Sequence, residues 1–226
     1  MSRRERHEQL VAVARSVFAE RGYGGTSIEE IAARAGVSKP VVYEHFGGKE
    51  TKESLYRQVV DDAVKRMLDQ VTGALSGGSA RDLLEQAALA LLEYIEENTE
   101  AFRILVRDSP VASSTGSFAT LISDIASRVE HILGREFNAK GFDPDLAPLY
   151  SQALVGMVAL TGQWWLDERS PKLDEVAAHL VNLAWNGLSG MEQRPTLRRS
   201  ATGGTRAPDD ARQPADDPPP GDDVQG

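Results

Sequence analysis

Cysteine is absent from the 226-residue chain. That excludes a disulfide scaffold, thiolate metal sites and thiol nucleophiles. Long apolar runs are missing too. The longest, Leu154 to Gly162, falls far short of the roughly 18 residues that argue for a membrane span. The opening MSRRERHEQL has charge but no apolar signal-peptide core, so a soluble, cytoplasmic protein is expected, with no membrane partner. Positive charge is in deficit, with 25 Lys and Arg against 34 Asp and Glu, a net charge of −9. The deficit is uneven. Residues 1–60 hold 10 basic and 8 acidic residues, or +2, which leaves 15 and 26, or −11, for the remainder. A weakly basic head on an acidic body permits a local DNA-binding face without requiring one.

Enzyme signatures are equally scarce. GGTS and GGKE lack the spacing and the preceding strand of a phosphate loop. His7, His45, His131 and His179 never fall at metal-ligand spacing with acidic partners. There is no G-x-S-x-G elbow. No catalytic residue, metal or cofactor is expected, and the protein reads as no enzyme.

What the sequence does contain is helical periodicity. Pro and Gly are rare in the middle of the chain, strand signals are weak, and almost every segment repeats near 3.6 residues. An all-α protein of about nine helices is expected. The helical segments fall at 6–21, 28–35, 38–46, 51–75, 81–98, 99–106, 118–137, 145–166 and 173–188. From about Gln193 the composition shifts to an acidic, Pro-rich tail with 6 of the 11 prolines, expected to be disordered. The division expected is 1–50, 51–192 and 193–226.

The most informative stretch runs from Thr26 to Phe46. Ser27 with Glu30 three residues later reads as a capping box, and Gly36 as a helix stop able to take positive φ. Ser38 reads as the next cap, with Pro40 tolerated in the first turn. Val42 and Phe46 turn to the core, leaving Ser38, Lys39, Val41, Tyr43, Glu44 and His45 outward. Spacing alone leaves a plain αα-hairpin and a DNA-binding unit both open. Ser38 and Lys39 at a helix N-terminus favour phosphate, and Tyr43 and His45 can donate to phosphate oxygens.

Residues 6–56 carry further motifs: FAERGY (Phe18 to Tyr23), TSIEEIA (Thr26 to Ala32), AGVS (Ala35 to Ser38) and VVYEHF (Val41 to Phe46). Together they resemble the N-terminal domain of the TetR family of bacterial transcriptional regulators. The resemblance implies a three-helix helix-turn-helix domain followed by a helical ligand-binding and dimerisation bundle. It implies a homodimeric repressor, released from a palindromic double-stranded DNA operator by a small apolar ligand. Lys39, Pro40 and Val41 would face base edges. Thr26, Ser27, Ser38, Tyr43 and His45 would hold phosphates. A lysine at the start of the next helix would join them. GGKETKESLY offers that lysine in two registers, Lys49 or Lys52, and both stay open. VGMVALTGQWWLD and AWNGLSG are similar to segments of actinobacterial, lipid-responsive members.

Elsewhere the residues carry less. Helices between Arg81 and Leu166 are expected to enclose an apolar cavity. Leu91, Tyr94, Phe102, Leu105, Leu121, Ile125, Met157, Leu160, Thr161 and Trp164 are its candidate lining, with Arg103 and Gln163 as polar handles. The last two helices have wide apolar surfaces, so a two-fold interface through them is expected. Their small residues (Ser151, Gly156, Ala159, Gly162, Ala177, Ala184) would permit close approach of the two subunits. The competing reading is a helical ligand-binding or enzymatic protein whose hairpin is only structural.

Overall fold

A computed structural model describes residues 1–48, 50–107 and 118–196. Among them are nine α-helices, a short 3-10 turn and no strand. Residues 1–193 form one unit. A second, 194–226, lies almost wholly outside the described residues, as does the tail expected to be disordered.

Helix α1 (Arg3–Gly25) starts three residues earlier than the apolar stripe requires. Ser2 caps it by accepting from the Glu5 amide at 3.2 Å, and the Glu5 carboxylate takes the Ser2 amide at 2.6 Å. Its regular part ends at Gly22, whose φ of 69° breaks the helix. A side chain at Gly22 would be strained there, and a Cβ would stand 3.1 Å from Nη1 of Arg107.

Helices α2 (Ile28–Ala35) and α3 (Lys39–Phe46) follow. Gly36 takes φ 66°; its amide donates to Ala33 and that of Val37 donates to Ala32, a Schellman closure. Gln9 of α1 adds a donor to the Ala35 carbonyl at 3.2 Å. Two capping expectations are corrected. Ser27 accepts from Glu30, but the Glu30 carboxylate turns to Arg21 and Arg34 (2.9 and 3.0 Å), so only half the box forms. Ser38 stands at the cap of α3 without a side-chain hydrogen bond.

Helix α4 (Thr51–Ala74) joins the two parts of the protein. Its 24 residues span about 36 Å at 1.5 Å per residue. It packs on α1 and α3, and also on α5 (Ala80–Glu97), α6 (Thr99–Val106) and α7 (Phe118–Ala139). Leu55 and Tyr56 are buried, so the register KESLY supplies the apolar face. Phe18, Tyr23 and Tyr56 form an edge-to-face cluster between α1 and α4, with the closest pair at 4.9 Å. The turn Pro144–Leu146 leads into α8 (Ala147–Glu168), and α9 (Leu173–Ser189) completes the described fold.

Five of the six small residues singled out on α8 and α9 face inward; Gly156 is half-buried, and a Cβ there would meet nothing within 4 Å. Ser151, Ala159, Gly162, Ala177 and Ala184 are all buried within the chain. A Cβ on Gly162 would come within 2.4 Å of Cδ1 of Ile95, so α8 lies against α5 at that point.

Candidate nucleic-acid interface

The outward face of α3 is the centre of the site. Ser38, Lys39, Pro40 and Tyr43 are exposed, with Ser27 exposed at the start of α2. Val41 is half-buried. Glu44 is exposed on the same helix and supplies negative charge there.

Lys39 is not free. Its ammonium is ion-paired with the carboxylate of Glu29 on α2. The hydrogen bond from Lys39 holds the Glu29 carboxyl below its ordinary range, and Glu29 raises the lysine in turn. Both shifts keep the pair charged at neutral pH, so a phosphate reaching Lys39 meets the Glu29 carboxylate beside it. Sequence spacing gave no sign of this partner, because ten positions separate the two residues across a turn. Glu29→Gln is expected to strengthen binding to any DNA by about twofold to fivefold. Anisotropy titrations at two salt concentrations check it; unchanged affinity would mean that Glu29 does not compete.

Two expected contacts, Thr26 and His45, are placed differently. Thr26 is buried, and its hydroxyl donates to the Gly22 carbonyl at 2.7 Å, so it locks the α1 break and does not face solvent. His45 is half-buried with its ring 5.9 Å from that of His7. His7 itself stacks on Phe46 at 4.6 Å and shares a hydrogen bond with Gln58, so His45 leans toward α1. Lys52 sits in the first turn of α4 with its ammonium 4.4 Å from the Tyr23 ring centroid. Lys49 lies outside the described residues.

The apolar cavity draws on α5, α7 and α8 of the expected helices and also on α4 and α9. It has a volume of about 100 Å³ and lies between the end of α4, the start of α5, the second half of α7, the middle of α8 and the end of α9. Of the candidate residues Leu91 and Ile125 line it, and the others do not. Tyr94 is fully buried and donates to the Ala63 carbonyl at 2.9 Å, tying α5 to α4; burial pushes its hydroxyl up to about 12. Phe102 packs edge-on against Phe118, and Leu121 is core. Arg103 pairs with Asp167 at 3.0 Å on the surface. Met157 and Thr161 are half-buried away from the cavity, and Trp164 is 53% exposed. Periodicity finds the inward face of a helix but not which inward residues stop short of a neighbour.

An N-terminal three-helix unit, with its second hairpin helix exposed and a long helix leading into an all-α bundle, defines a helix-turn-helix DNA-binding protein. Comparison with known proteins fixes the family. The model for bacterial regulatory proteins of the tetR family matches residues 10–58. That for the tetracyclin repressor-like C-terminal domain matches 80–187. The transcriptional activator FasR of Mycolicibacterium smegmatis is 30% identical over 193 residues, 84% of this chain and 85% of its own. The transcriptional repressor KstR2 of Rhodococcus jostii is 31% identical over 194 residues, 81% of this chain and 91% of its own. A TetR-like regulator from Rhodococcus sp. RHA1, 25% identical, superposes with a TM-score of 0.70 over 84% of this chain and all of that one. The chain belongs to the TetR family. It is a DNA-binding transcriptional regulator and not an enzyme, and among the described residues no helix is long and apolar enough to cross a membrane.

Proposed function

We propose that the protein is a homodimeric, cytoplasmic repressor that leaves a palindromic operator when a small apolar ligand enters the cavity. The observation that carries this reading is helix α4. Its first turns pack on α1 and α3, while Val71 and Leu75 at its other end line the cavity. A rigid helix that touches both sites can convert a change at one into a displacement at the other.

The DNA contacts fall to Ser27, Ser38, Lys39, Pro40, Val41 and Tyr43, with Thr26 positioning the turn. Lys52 and Lys49 remain the two candidates for the following phosphate. Proline and valine offer only apolar contact with a thymine methyl, so shape readout carries part of the specificity. The two-part division at residue 50 fits this assignment of roles.

Dimerisation is assigned to the outward face of α8 and α9. Leu149, Leu160, Trp164 and Leu183 are large apolar residues exposed there. A two-fold dimer presents two identical reading heads, so its operator is a palindrome with half-sites roughly 34 Å apart or a little more. FasR is named an activator and KstR2 a repressor, which makes activation the second reading.

Selection from random duplexes, followed by anisotropy at several salt concentrations, tests the function. A palindromic site is expected, with an affinity that falls steeply with salt. A promoter reporter carrying that site should rise when the gene for the protein is deleted. A reporter that falls instead establishes the activator reading, and failure to select any sequence overturns both.

A further inference from the structure

The outward direction of α3 is set by its two buried residues, Val42 and Phe46. At about 100° per residue, Glu44 lies roughly 180° from the direction midway between them. Pro40 shares that outward side one turn earlier. The column Lys39 and Tyr43 borders it on one flank, and the half-buried Val41 and His45 on the other. Glu44 is therefore the residue of α3 aimed most directly away from the body of the protein. It points at the floor of any groove that the helix enters.

The Glu44 side chain is also unengaged. Among the described residues its carboxylate takes part in no hydrogen bond and no ion pair. The lysine of the same helix, Lys39, pairs with Glu29 of α2 instead. A free carboxylate on a surface that meets a polyanion is repelled by every phosphate it approaches. The floor of the major groove offers base edges instead. There cytosine presents only a donor, its 4-amine. Adenine sets an N7 acceptor beside its 6-amine, and guanine and thymine present acceptors. A carboxylate can only accept, so cytosine is the base that suits it.

We propose that Glu44 is a specificity-determining residue, which accepts a hydrogen bond from the 4-amine of one cytosine in each operator half-site. The proposal rests on the reading of α3 as the helix that enters the major groove. It adds a polar base contact to the apolar ones open to Pro40 and Val41. The same charge weakens binding wherever no cytosine amine meets it, so it widens the gap between operator and unrelated DNA.

Selection from random duplexes tests this, run in parallel on the full-length protein and on its Glu44→Gln, Glu44→Ala and Lys39→Ala variants. The parent should select a C·G pair at the position that Glu44 reads. Changing that cytosine to thymine in one half-site should weaken the parent by about tenfold, and Glu44→Ala by about twofold at most. Glu44→Gln should exchange the C·G pair for A·T, because an amide matches N6 and N7 of adenine, and should leave the other positions unchanged. Glu44→Ala should lose the preference there and bind unrelated duplexes about twofold to fivefold more tightly. Circular dichroism melts confirm that the variants fold. If both Glu44 variants keep the parent's motif and affinities while Lys39→Ala changes either, the Glu44 assignment is overturned and α3 remains the reading helix. If all three variants behave as the parent, α3 is not the reading helix and both readings fall. An A·T pair in the parent at the position that the Glu44 variants alter, or loss of all DNA binding by a folded Glu44→Gln, also overturns the cytosine contact. If the parent selects no sequence, the contact falls together with the operator.

Discussion

Leu160→Glu should sediment as a monomer at micromolar concentration and lose operator affinity with it. Leu160 is 64% exposed and lies one helical turn from Trp164, exposed by 53%, on the outer side of α8. Leu183 on α9 is also 64% exposed. A soluble chain seldom leaves several large apolar side chains exposed on adjacent helices unless another surface covers them. In a two-fold interface each residue occurs twice, so one substitution introduces two carboxylates. Removing an ion from water costs several kcal/mol even after relaxation. With about 4 kcal/mol lost, the dimer dissociation constant rises by roughly a thousandfold. A monomer can read only one half-site, so specific binding falls while the α3 face stays intact. Leu183→Glu should behave in the same way, because the proposed interface joins both helices. If both variants remain dimeric, the two-fold contact lies elsewhere.

The placement of that face shows where sequence reading stops. α8 is apolar on more than one side, and periodicity cannot tell which side meets its own bundle. The small residues marked it as a helix of close approach, which is correct for Gly162 against Ile95. The neighbour is α5 of the same chain, however, because small side chains let α8 sink into the bundle. Leu160 and Trp164 fall on the opposite side of the helix and are left outward. The helix borders were far more legible, because caps and breaks are local: Gly22, Gly36 and Thr51 each act within a few residues of themselves. The half-formed box at Ser27 marks the limit of local rules. Glu30 has two arginines within reach, Arg21 on α1 and Arg34 on α2, and pairs with them instead of its own helix end.

Within the candidate site the same distinction holds. The outward set on α3 follows from two buried positions, Val42 and Phe46, which fix the face. Glu29 was invisible because its approach to Lys39 depends on the angle between α2 and α3. The cavity lining was only partly legible because a void is a property of several helices at once. Tyr94 and Phe102 have the size and polarity of ligand-lining residues, yet each finds a partner that fills its space: the Ala63 carbonyl and the Phe118 ring.

Phe18→Ala tests whether α4 senses the reading head through packing. Phe18 is fully buried, meets Tyr56 edge-on at 4.9 Å and lies against Tyr23 at 6.3 Å. Its carbonyl also accepts from Arg107 of α6 at 3.4 Å. The ring thus fills the junction of α1 and α4, close to where α6 reaches the Gly22 break. Truncating a buried phenylalanine costs about 3–5 kcal/mol, because a cavity remains where the ring was. Against a total stability of about 5–15 kcal/mol, this is a large fraction. Urea denaturation should show a lower midpoint with little change in slope. Arg4→Ala, on the same helix but exposed, should stay within about 0.5 kcal/mol of the parent. Operator affinity of Phe18→Ala should fall even where the protein remains folded, since α3 rests on α1 and α4 through this junction. If stability drops while operator affinity is retained, the head is not coupled to α4 through these rings. The signal must then pass through α6, where Glu100 accepts from Ser16 at 2.9 Å and Arg107 reaches Phe18 and Gly22.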